Sequence, residues 1–278
     1  VETVLQIGTQ YAGTGNISGK ITNALDGTAV SSATLNFRAG INVTTGTVVA
    51  TTTTDTYGSY TISGLSAGNY TGEAVKSGFT TAYFTATVIG GQTNTNQNAT
   101  ITPILSSGET RIVLTWGYTP SDLDSHLTGP ITGSTSRFHV YFYNKGDSTY
   151  SPYASLDVDD MSSYGPETIT IYQQFDGIYR YSVHDYSNSY SSSSTYLSNS
   201  SAQVKVYRGS NLVATFNVPP NQGGTLWTVF EMSGDIITPI NTTSYVSSTS
   251  SVQSPSLSRT YSLTPHSDTL LMRGLPAK

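Results

Sequence analysis

Seven carboxylates crowd one stretch of this 278-residue chain: Asp122, Asp124, Asp147, Asp157, Asp159, Asp160 and Glu167. Only Arg137 and Lys145 oppose them there, so seven acids against two bases equal the formal net charge of −5 of the whole chain. Carboxylates this close raise one another's pKa unless a cation or protons compensate. Asp122-Leu-Asp124 and Asp157-Val-Asp159-Asp160 offer hard oxygen ligands from two loops or strand ends. That suits Ca2+, which accepts roughly six to eight oxygens in irregular geometry. The expected metal ligands are therefore Asp122, Asp124, Asp157, Asp159 and Asp160. The competing reading is a set of solvated Asx-turns. The glycine and terminal glutamate spacing of an EF-hand is absent. His126 follows Asp124 by two residues and would form a transition-metal site with His139 or His184, although a structural histidine is the preferred reading.

Other catalytic chemistry finds little footing. There is no G-x-S-x-G, and with no Cys there is no thiol nucleophile. His184-Asp185 with a serine would imitate a triad, but in so serine-rich a chain such coincidences are cheap. The crowded carboxylates could be drawn as a glycosidase pair, yet nothing separates an acid from a nucleophile. The chain is expected not to be an enzyme. Of the eleven tyrosines between Tyr141 and Tyr196, most are expected in a core or a subunit interface rather than on a sugar-stacking platform.

The elements that would position these residues are strands. Charged residues make up 10% of the chain and hydrophobic residues 36%, with 26 Gly and 20 Tyr, a balance poor in helix formers and rich in strand and turn formers. Aromatic residues at 11% suffice to build cores. The acidic balance argues against nucleic acid as a partner, and no 18-residue apolar run predicts a membrane span. Val1 in place of Met is read as a mature N-terminus after signal-peptide removal, hence an extracellular or cell-surface location. Asn16, Asn42, Asn69, Asn98, Asn199 and Asn241 head Asn-x-Ser/Thr sequons open to glycosylation.

Four segments are expected. Residues 1–13 alternate as one extension strand through Leu5, Ile7 and Tyr11. Residues 14–105 form short strands near 17–21, 33–37, 48–54, 60–62, 70–75, 83–89 and 99–105, punctuated by Gly, Asn and Asp. Residues 106–240 form a second all-β unit of about eight strands, ending at Trp227 and Phe230. Residues 241–278 begin as a Ser/Thr/Pro-rich linker and end in a strand-like pattern through Tyr261, Leu263 and Leu270. The fold class is all-β: two tandem β-sandwiches, Ig-like or prealbumin-like, with strand-like extensions at both ends.

Motifs sharpen this. Gly19, Ile21, Asp26, Gly27, Val30, Ala33 and Leu35 are followed by Thr54-Asp55-x-x-Gly58-x-Tyr60 and Gly64-Leu65-x-x-Gly68-x-Tyr70, then Gly78–Thr81. The run resembles the carboxypeptidase regulatory-like, prealbumin-type domain over about a third of the chain. The resemblance implies a seven-stranded sandwich with a structural or spacer role and no catalytic residues. The second unit carries L-T-W, D-L-D-x-H-L, x-D-V-D-D, G-P-E-T-I-T-I and G-x-Y-x-Y-x-V. It is similar to uncharacterised secreted β-domains of prokaryotic surface proteins, which implies a surface location.

Two function classes follow. In the first the chain is a structural subunit of an extracellular filament or surface layer, its partners copies of itself, joined when extension strands pair with neighbours' sheet edges. In the second it is a Ca2+-dependent adhesin or carbohydrate-binding module with glycans as partners.

Overall fold

A computed structural model describes residues 12–249 and 252. The expected assembly residues Leu5, Ile7, Tyr11, Tyr261, Leu263 and Leu270 lie outside that range. The described residues form β-strands and no α-helix, so none of them makes a helix long and apolar enough to cross a membrane.

The first sandwich runs β1 (Thr14–Asn23), β2 (Thr34–Ala39), β3 (Ala50–Thr53), β4 (Ser59–Ser66), β5 (Gly68–Val75), β6 (Ala82–Val88), β7 (Thr93–Asn94) and β8 (Ala99–Ile101). One sheet is ordered β4-β1-β7 with β8 also on β1; the other is β3-β2-β5-β6. β1 pairs antiparallel with β4 but parallel with β7 and β8. Alternation of buried and exposed residues along β2 and β4 turns Leu35, Phe37, Tyr60 and Ile62 inward. There Phe37, Tyr60 and Phe84 form a ring cluster with centroids 5.8–6.4 Å apart. The motif residues shape turns. Asp55 Oδ1 accepts from the N–H of Tyr57 and of Ser59, both at 2.8 Å. Gly58 sits at φ +72° where a Cβ would lie 2.5 Å from the Ile21 carbonyl oxygen. The Tyr60 and Tyr70 hydroxyls donate to the carbonyls of Gln97 (2.6 Å) and Ser66 (2.7 Å).

The second sandwich has eleven strands, more than expected: β9 (Thr110–Thr115), β10 (Leu123–Pro130), β11 (Arg137–Val140), β12 (Gly146–Asp147), β13 (Ala154–Val158), β14 (Glu167–Ile171), β15 (Tyr179–Asp185), β16 (Gln203–Arg208), β17 (Asn211–Asn217), β18 (Leu226–Ser233) and β19 (Ile236–Ser244). Its sheets are ordered β12-β13-β14-β9-β16-β17 and β11-β10-β15-β18-β19. Trp227 and Phe230 do not close the unit: the antiparallel partner β19 carries it past residue 240 to Ser244. Trp116, Trp227, Tyr179 and Tyr181 fill the core, and Phe230 stacks between Tyr181 and Phe216 at 5.6 and 5.3 Å. Tyr143, Tyr150, Tyr186, Tyr190 and Tyr196 are exposed, so the tyrosine-rich stretch divides between core and surface.

The two sandwiches meet through Ala24, Leu105, Val113 and Tyr207. Arg111 ties the connection, donating to Thr102 Oγ1 at 2.8 Å and Thr170 Oγ1 at 2.9 Å.

Candidate metal centre

Strand register builds the site. Asp124 on β10 is the cross-strand partner of His184 on β15. His126 lies two residues beyond Asp124, so the pleat sends Asp124, His126 and His184 to one face. Their exposures are 3%, 1% and 0%, and one ligand atom from each lies within 4.8 Å of the others. Asp124 belongs to a second group of the same span with Asp159 and Glu167. Glu167 Oε2 accepts the Ser125 N–H at 2.5 Å, at the edge of β10 that β11 leaves open, since β11 pairs only from Leu127 onward.

The site is rich in polar atoms without protein partners. Asp122 Oδ1, Asp124 Oδ2, His126 Nε2 and His184 Nδ1 are all buried and make no hydrogen bond. Their ring counterparts are held: His184 Nε2 faces the Val246 carbonyl at 3.1 Å, and His126 Nδ1 faces His139 Nε2 at 2.8 Å. Tyr141 stacks on both His139 (4.2 Å) and His126 (5.5 Å).

Electrostatics follow from burial. Burial, then the neighbouring Asp122, Asp159 and Asp185, push the Asp124 carboxyl up to about 8. Burial and the carboxylates of Asp159, Asp160 and Asp185 push Asp122 up to about 6. Glu167 is raised well above the usual range by burial and by Asp124. Burial, then His139 and His184, hold His126 well below the ordinary imidazole value; burial lowers His139 to about 4 and also lowers His184. Asp124 and Glu167, buried carboxyls in one cluster, are costly to keep ionised unless a cation or a proton compensates.

Of the ligands expected from sequence, Asp122, Asp124 and Asp159 gather here. Asp159 also pairs with Lys145 at 2.9 Å. Asp160 is a neighbour of Asp122 whose Oδ1 closes an Asx-turn onto Ser162. Asp157 does not belong to the cluster. It is the extra residue of a bulge between Leu156 and Val158, and it accepts from Ser155, Thr170 and Tyr172 with Arg111 nearby. Glu167 is not among the ligands expected from sequence, and His126, expected to be structural, shares the Asp124 and His184 group. The signal for His126 was the Asp124-x-His126 spacing on a strand. Five sequon asparagines are exposed; Asn16 is half-buried, its amide engaged by Thr93 and Gly64.

Residues 16–102 match the carboxypeptidase regulatory-like domain family. A search of curated proteins found no match. Among solved structures the chain is similar to SAV2460, a protein of unknown function, with 15% identity and TM-score 0.35 over 50% of this chain and 93% of that one. It is similar to the streptococcal ancillary pilin, with 12% identity and TM-score 0.28 over 60% and 52%. It is also similar to the major pilin SpaD from Corynebacterium diphtheriae, with 9% identity and TM-score 0.26 over 62% and 60%. Overlap this partial establishes neither a shared chain path nor a shared activity. The first sandwich, in contrast, is a carboxypeptidase regulatory-like domain, as its turn motifs imply.

Proposed function

We propose that the chain is a structural subunit of an extracellular filament or surface layer, polymerising by strand addition between copies. The supporting observation is the outer edge of β17, Asn-Leu-Val-Ala-Thr-Phe-Asn, which has neither charge nor proline and leaves Leu212 and Val213 45% and 44% exposed. Such an edge invites pairing with another chain. Other edges are guarded. β19 carries Pro239, β11 carries Arg137, β4 carries Gly64 at φ +75°, β7 and β12 have two residues, β8 three and β3 four. Along β6, the Thr87 N–H and C=O are taken by Gln97 and Asn94, both at 2.9 Å, and Lys205 reaches the Tyr83 carbonyl at 3.3 Å.

The occupant we assign is residues 1–13 of a neighbouring copy, whose Leu5, Ile7 and Tyr11 alternate as an added strand requires. Each aliphatic side chain fully buried there contributes roughly 1.5–3 kcal/mol. On β17, Thr215 opposes Lys205 between the hydrogen-bonded pairs, so its N–H and C=O point outward. Thr215→Pro and, separately, Leu5→Asp should each leave soluble monomers by light scattering and electron microscopy, with sheet circular dichroism intact. A monodisperse intact chain, or fibres persisting in both variants, would refute the reading.

A second reading, a glycan-binding module, is favoured by the aromatic patch of Phe142, exposed Tyr143 and Tyr186, with Phe142 centroids 4.8 and 5.6 Å from the two tyrosines. It expects glycan-array signal from the wild type that Tyr143→Ala removes.

A further inference from the structure

We infer that Asp124, His126 and His184 bind a divalent transition-metal ion of the Zn2+ type between β10 and β15. Three observations converge on these residues. Their ligand atoms lie within 4.8 Å of one another. Asp124 Oδ2, His126 Nε2 and His184 Nδ1 are buried without partners. The opposite nitrogen of each ring is held as ligating histidines require: His184 Nε2–H donates to the Val246 carbonyl at 3.1 Å, which leaves an Nδ1 lone pair free. In the tautomer where His126 Nδ1–H donates to His139 Nε2, at 2.8 Å, the His126 Nε2 lone pair is free as well.

The donor set selects the metal. Two neutral imidazoles and one carboxylate suit Zn2+ and its neighbours, whereas Ca2+ prefers oxygen alone. The oxygen-only group, Asp124 with Asp159 and Glu167, is the weaker candidate. Glu167 already holds the Ser125 N–H and Asp159 holds Lys145, while the unpartnered atoms include both imidazoles. One carboxylate and two neutral rings leave a divalent ion with one positive charge to balance. Asp122 and Asp185 are further carboxyls near Asp124. Ligands so buried point to a structural ion.

The test uses the full chain, stripped with chelator and reloaded with Zn2+, Co2+ or Ca2+ alone. Expected are one equivalent of Zn2+ by elemental analysis, a raised Tm, and visible d–d absorption with Co2+ unlike that of the aqueous ion. His126→Gln or His184→Gln should abolish the Tm rise, and His139→Gln should weaken affinity about 10–100-fold. If a variant misfolds by circular dichroism, the wild-type cobalt spectrum decides. An aqueous-type cobalt spectrum, Zn2+ binding retained in both folded histidine variants, or a Tm rise from Ca2+ alone that only Asp159→Asn removes, would each overturn the inference.

Discussion

Glu73 and Asp157 show how the immediate surroundings of a carboxylate set its role. Glu73 on β5 accepts from Arg38 at 3.0 Å, Tyr83 at 2.9 Å and Asn36 at 3.2 Å. Burial alone would raise its pKa, but the three hydrogen bonds and the guanidinium charge outweigh it and hold it below the ordinary value. A depressed carboxylate stabilises the fold above its unfolded pKa, near 4.5, and that stability is lost as pH falls through the folded value. Glu73→Gln is therefore expected to lower the stability at pH 7 by about 1.5–3 kcal/mol, the range for hydrogen bonds to a charged group. It should also flatten the decline below pH 4.5. Urea midpoints between pH 3 and 7 measure both. Asp157 marks where sequence reading failed at this scale. In a regular strand it would share a face with Asp159; the bulge in β13 breaks that parity, and a bulge leaves no trace in residue spacing. The pairing of Asp124 with His184 was equally hidden, because register between segments sixty positions apart depends on packing rather than on local pattern.

Among elements, β1 carries the most constraint. Gly19, the first motif glycine, lies where a Cβ would approach the Gln97 carbonyl oxygen to 2.1 Å. Backbone cannot yield as a flexible side chain can, so Gly19→Ala should destabilise the first sandwich by at least the usual cost of overpacking, about 1–3 kcal/mol, read as a lowered Tm of the chain. The seven main strands of the first sandwich were legible because runs of β-branched and aromatic residues stand between glycine, asparagine and aspartate turns, with buried and exposed residues alternating along β2 and the start of β4. β7 and β12, of two residues each, were not, being too short to show a period. β19 was missed for a different reason. Its face is largely exposed and its Pro, Asn and Thr read as linker; it is a strand because β18 offers it an antiparallel partner from Ser233 to Leu226.

At the scale of the molecule, the sandwiches share a small apolar contact and one buried arginine. Arg111 reaches Thr102 and the Pro103 carbonyl on one side and Thr170 on the other. Arg111→Ala should leave both sandwiches folded but uncouple them, so that calorimetry resolves two transitions where the wild type shows one more cooperative unit; a single endotherm lowered as a whole would show that the arginine supports the second core instead. The parallel pairing of β1 with β8 has a mechanical consequence. The chain enters the first sandwich at Thr14, the start of β1, and leaves after Ile101, the end of β8, with Ile21, Thr22 and Asn23 beside Ala99, Thr100 and Ile101. Tension along the chain pulls these two strands in opposite directions along their length. The bonds between them are then loaded together in shear rather than opened one at a time like a zip, so the link is strongest in the direction in which a fibre would be stretched.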